Sequence, residues 1–125
     1  MKNILAITLI CVGVQAHSLT VDEFFDLYAG KIGNSTVDKV NKLSATYYAE
    51  GAAASIMMMN AYAEQKINQK IFCSPIGLPI GGTLLIELVS NFRKDRYSML
   101  GADWVIDHPF SAIAIDELRK IFPCN

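Results

Sequence analysis

Histidine is nearly missing from this chain: there are two in 125 residues, His17 and His108, far apart in sequence. A metal centre needs His, Cys and carboxylates grouped at ligand spacing, and neither histidine has such a partner, so no metal is expected. Paired carboxylates such as Asp22 with Asp26, or Asp116 with Glu117, fall on polar helix faces without the apolar surroundings that tune a catalytic acid, and they read as solvated charge. Charge of one sign is also lacking, with 11 basic against 12 acidic residues. That balance gives no electrostatic footprint for nucleic acid or an anionic membrane. Sustained period-two alternation rich in β-branched residues is absent, which argues against a sheet. No nucleotide or other cofactor is expected. The glycines between Phe72 and Gly82 follow no strand, lack a Gly-Lys-Ser/Thr ending and do not match dinucleotide-fingerprint spacing.

The amino-terminal residues, by contrast, are informative. Lys2 supplies a positive start, Ile4 to Val14 form an apolar stretch, and Val14-Gln15-Ala16 places small residues where a signal peptidase cuts. About 11 apolar residues are too few for a membrane core that needs roughly 20, so residues 1–16 are expected to be a cleaved signal peptide and 17–125 the exported domain. Cys11 is no lipid-attachment site on this reading, because Ile10 precedes it where a small residue is wanted. Removing the leader takes Cys11 with it, leaving Cys73 and Cys124 in an oxidising compartment. Two cysteines there predict one disulfide. A thiolate nucleophile at Cys73, activated by His108, is the competing reading. The exported segment keeps 10 of the 11 basic residues, for a net charge of about −2.

Four or five helices are expected in a single small all-α bundle. Thr20-Val21-Asp22-Glu23 has the capping-box pattern and opens a helix over about 20 to 29 that stops at Gly30. Residues 31–34 read as a turn; Asn34-Ser35-Thr36 is a glycosylation sequon, relevant only in a eukaryotic secretory route. From Ser35 a proline-free segment of roughly 30 residues carries Val37, Val40, Ser44, Tyr47, Gly51, Ala54, Met58 and Ala61 on one face. At 1.5 Å per residue it runs roughly 45 Å, long enough for the other helices to pack across it. The small residues Gly51 to Ser55 suit close packing, and Met57, Met58 and Met59 read as core filling rather than as an adaptable binding surface.

The prolines and glycines of 72–82 make an irregular connector. Thr83 then opens a helix with Leu84, Leu85, Leu88, Val89 and Phe92 on one side, ending in Arg93-Lys94-Asp95-Arg96. Tyr97 to Asp107 reads as a loop leading into a short helical turn. After Pro109, Ser111 is placed to cap a final helix over Ala112 to Phe122, with Ile113, Ala114, Leu118, Ile121 and Phe122 apolar.

The combination of Phe72-Cys73-Ser74-Pro75, an amphipathic helix, the His108-Pro109 break and the ending Ile121-Phe122-Pro123-Cys124 resembles the periplasmic immunity proteins of type VI secretion amidase effectors. The resemblance is strongest from 72 to 124, and its most specific parts are Cys73, Pro75, Phe122, Pro123 and Cys124; in that family the two cysteines pair. It implies a non-enzymatic periplasmic protein, often a homodimer, that binds a Cys-His peptidoglycan amidase and blocks its groove with a helix end and adjoining loop. Here that segment is Arg93 to Trp104, with Arg93, Lys94, Asp95, Arg96, Tyr97, Asp103 and Trp104 as the expected contact residues. In the opposing reading Arg93, Lys94 and Arg96 complement the end of the third helix and Trp104 fills the core. Two other classes compete: a small periplasmic helical chaperone, and a carrier of an apolar ligand with Met57 to Met59 lining its cavity.

Overall fold

Four helices pack around one core in the computed structural model, which describes residues 18–30, 35–101 and 103–125. They are α1 (Val21–Ala29), α2 (Ser35–Ile67), α3 (Gly82–Leu100) and α4 (Phe110–Ile121). The fold is all-α; among the described residues the extended pairing amounts to an isolated bridge between Thr20 and Pro109. The expected signal peptide, His17 and the turn at 31–34 lie outside the described residues.

The capping box at α1 forms as its sequence demands. Thr20 Oγ1 accepts from the Glu23 amide at 3.3 Å and Glu23 Oε2 accepts from the Thr20 amide at 2.9 Å, so two helix-end donors find partners. Gly30 ends the helix at φ 67°, a left-handed conformation that glycine adopts without a Cβ clash.

The long helix corrects the choice of buried face. Its inner residues are Ala45, Ala49, Ala53, Ile56 and Asn60, spaced by four, four, three and four. The Tyr47, Gly51, Ala54 and Met58 stripe faces outward. Met57, Met58 and Met59 are surface residues rather than core filling, Met58 being 75% exposed. Both faces are apolar, so a 3.6-residue period detects two stripes without ranking them. Closeness decides it: a Cβ on Gly82 would sit 2.8 Å from the backbone nitrogen of Glu50. Glycine at 82 lets α3 begin that near α2, beside the inner alanines Ala49 and Ala53.

Asn68, with φ 52°, turns the chain out of α2. Asn60 then holds the connector: its Oδ1 accepts from the Ile71 and Phe72 amides at 2.7 and 3.2 Å, and its Nδ2 donates to the Phe72 carbonyl at 3.1 Å. One buried side chain thereby satisfies three backbone groups and seats Phe72, which has no exposed surface, in the core. The next residue is stitched to the carboxyl end. The Cys73 amide donates to the Phe122 carbonyl at 2.8 Å, and Cys73 and Cys124 form the expected disulfide, with a Cα separation of 5.0 Å.

α4 starts one residue after Pro109, with no side-chain cap. Ser111 therefore lies inside the first turn and is not the cap; the Phe110 amide instead donates to the Leu19 carbonyl at 2.9 Å. Ile121 is exposed, whereas Phe110, Ile113, Ala114 and Leu118 are buried. Phe110 stacks on Phe24 with ring centroids 4.1 Å apart, and Tyr48 from α2 meets both rings at about 6 Å. Three helices thus converge on one aromatic cluster.

Candidate functional site

α3 does not end at Arg93–Arg96. It continues through Tyr97 to Leu100, and Gly101, at φ 92°, is the residue where it stops. The first five expected contact residues consequently lie on a helix, and only Asp103 and Trp104 follow it. A helix disperses its side chains around its axis, so these five cannot share one surface.

Arg93 and Tyr97, one turn apart, face inward to α1. Arg93 Nε donates to Asp22 Oδ1 at 3.0 Å, and the Tyr97 hydroxyl donates to the same oxygen at 2.5 Å. The Ile106 amide donates to Asp22 Oδ2 at 2.6 Å. The Arg93 guanidinium also lies 5.2 Å from the Phe25 ring centre and 4.8 Å from that of Tyr97, within cation–π range. Asp22 is therefore no solvated surface charge but a half-buried junction of α1, α3 and the segment that follows α3. Burial pushes its carboxyl pKa up, but hydrogen bonds from Tyr97, the Ile106 amide and Arg93, with the Arg93 charge, outweigh it and leave the group below its ordinary 3.8. The clamp is ionised at neutral pH.

The remaining expected residues point outward. Lys94, Asp95, Arg96, Asp103 and Trp104 are exposed, Trp104 at 54%. The reading in which Trp104 fills the core is thus set aside, as is the one in which Arg93, Lys94 and Arg96 complement a helix end, since the last turn of α3 carries no basic residue. Arg96 and Trp104 are brought together on one cleft of about 360 Å³, which also takes in Leu100, Val105, His108 and Lys120. Lys94, Asp95 and Asp103 lie outside its lining.

Met99 and Leu100 lie inside the expected Arg93 to Trp104 segment without being among its expected contact residues, and Val105 lies just beyond it. Met99 and Val105 are 74% and 70% exposed, and Leu100 is also at the surface. With Trp104 they place four exposed apolar side chains at the end of α3 and just after it. The available signal was the absence of any helix breaker between Arg96 and Gly101, which extends α3 and carries Met99 and Leu100 to its tip.

Among the described residues no group of three or more His, Cys, Asp or Glu is arranged to hold a metal ion. No described helix is long and apolar enough to cross a membrane. Comparison of the chain with protein-family models, with curated proteins and with solved structures finds no match.

Proposed function

We propose that this chain is an exported periplasmic immunity protein, not an enzyme, which inhibits a peptidoglycan-cleaving amidase of the type VI secretion class by occluding its active-site groove. The observation that carries this reading is the edge formed by the end of α3 and the residues after it. Trp104, Met99, Leu100 and Val105 are exposed there beside Arg96, and interface energy concentrates in Trp and Arg anchors surrounded by apolar contacts. The surface disulfide suits an oxidising compartment. Arg93 and Tyr97 support the edge from behind.

The test titrates recombinant Cys-His cell-wall amidases, beginning with any encoded beside this chain's gene, with residues 17–125, and follows release of fragments from purified peptidoglycan. Inhibition by the parent chain is expected. Trp104→Ala and Arg96→Ala should each weaken binding by about thirtyfold or more, a loss of about 2 kcal/mol. Lys94→Ala should chiefly slow association and flatten its salt dependence. If every variant binds like the parent, the contact surface lies elsewhere on the chain.

A homodimer belongs to the same proposal. The outward stripe of α2 exposes Val40, Leu43, Tyr47, Met58 and Tyr62, more apolar surface than a lone helix face commonly leaves to water, and a two-fold isologous contact is the default way to cover it. Light scattering at micromolar concentration should return twice the chain mass. A monomer mass under those conditions rejects the dimer.

A further inference from the structure

We propose that Asp22 is the positioning residue of the Trp104 edge: its single carboxylate grips both ends of the exposed tip and so fixes how that tip is presented. The inference rests on the reading of this edge as a contact surface.

The tip comprises the last turn of α3 after Tyr97 and the residues that follow it, and the chain returns to the core at Ile106, which is 3% exposed. Met99, Leu100, Trp104 and Val105 lie between these two points. The Tyr97 hydroxyl on Oδ1 and the Ile106 amide on Oδ2 mark the two ends, so one carboxylate links them. Arg93 completes the bracket from α3. On the far side of Ile106 the backbone is held independently, by the Val21 amide on the His108 carbonyl and the Phe110 amide on the Leu19 carbonyl, both at 2.9 Å. Losing the carboxylate therefore removes the side-chain hold on both ends of the tip without detaching α4, and leaves the 3.4 Å bond from the Asp22 amide to the Ile106 carbonyl as the backbone link of Ile106 to α1. Inside the tip, the Trp104 amide donates to the Gly101 carbonyl at 3.3 Å and the Gly101 amide to the Tyr97 carbonyl at 3.0 Å. Those bonds shape the turn but do not tie it to α1. A protein contact held this way presents its anchors already ordered, which limits the entropy lost on binding.

Asp22→Asn tests this with little change of shape. An amide keeps one acceptor oxygen and replaces the other with a donor, so either the Ile106 amide or the Tyr97–Arg93 pair meets a donor instead of an acceptor. Trp104 is the single tryptophan, and its time-resolved fluorescence anisotropy reads the tip directly. The expected result is a larger fast-decaying amplitude for Trp104, with Ile106 amide exchange at least tenfold faster relative to the Ala49 and Ala53 amides of α2. Exchange that accelerates equally at all three amides, or an unchanged Trp104 decay, overturns the proposal, because then Asp22 only adds to general stability. Should Asp22→Asn fail to fold, Tyr97→Phe removes one end of the grip alone, and it must still raise the fast Trp104 amplitude or the proposal fails. These readouts need no amidase, so they stand whether or not the parent chain inhibits one. With an amidase that the parent does inhibit, Asp22→Asn should weaken inhibition at least tenfold and lose most of the additional effect of Trp104→Ala. Inhibition equal to the parent's would overturn the positioning role while leaving the functional reading intact.

Discussion

Replacing Cys73 and Cys124 together by serine should lower the unfolding free energy of residues 17–125 by about 4 kcal/mol, as read by urea denaturation against the oxidised parent. The magnitude follows from the chain the bridge closes, 51 residues of sequence separation, since a cross-link removes loop-closure entropy from the unfolded ensemble. Both cysteines are exposed, so their sulfurs bury little surface and almost none of the loss comes from packing. The same loss should appear in the parent on adding a thiol reductant, which reaches a surface bridge without prior unfolding. The Asn60 hook and the Cys73 amide on Phe122 remain in the reduced chain. They hold the connector near the carboxyl end locally, so the reduced protein should keep its helical circular dichroism while its denaturation midpoint falls. An unchanged midpoint would show that the reduced chain already holds these ends together when unfolded. Mass spectrometry of protein purified without alkylating agent should find no free thiol at either position.

Phe110→Ala should cost about 3 to 5 kcal/mol, the range for deleting a buried aromatic ring. Phe110 has no exposed surface, stacks on Phe24 and meets Tyr48. Its removal leaves a void where α1, α2 and α4 converge, and the rings around it are held by separate helices that cannot all move inward. For a domain of this size the melting temperature should drop by at least about 12 °C. Phe110→Leu, which refills most of the volume, should recover a large part of the loss. A drop of only a few degrees for the alanine variant would mean that Phe24 and Tyr48 collapse into the space. Tyr48→Phe offers a contrast: burial raises the Tyr48 pKa, while hydrogen bonds with the Leu19 backbone and the Ser111 side chain oppose it, so its hydroxyl has partners but its ring carries most of the packing.

Several elements could be read from residue order because their cause is local. The capping box at Thr20 and Glu23, the stop at Gly30 and the break at Pro109 each depend on a few consecutive residues, and each forms. The Cys73–Cys124 bridge follows from parity if Cys11 is assigned to the expected leader, and it forms. The extent of α2 follows from the lack of any proline over 33 residues. The same reasoning misplaces the end of α3 when it gives the charges Arg93 to Arg96 more weight than the absence of a breaker before Gly101.

The candidate edge was partly legible. Its location near the end of α3 came from the resemblance, which implies contact through a helix end and its adjoining loop, applied to the basic and aromatic residues beside the single tryptophan. Which of those residues face out could not be read, since Arg93 and Tyr97 turn inward only because Asp22, more than 70 positions earlier, waits there. A carboxylate at helix position two looks the same in sequence whether water or an arginine is its partner. For the same reason the inner face of α2 stayed hidden. By itself the sequence determined the helices, most of their ends and the single bridge, since each depends on neighbouring residues or on counting. Only the tertiary structure decided which stripe of α2 is buried, and that Asp22 clamps the tip, because both are set by what another segment brings within contact distance.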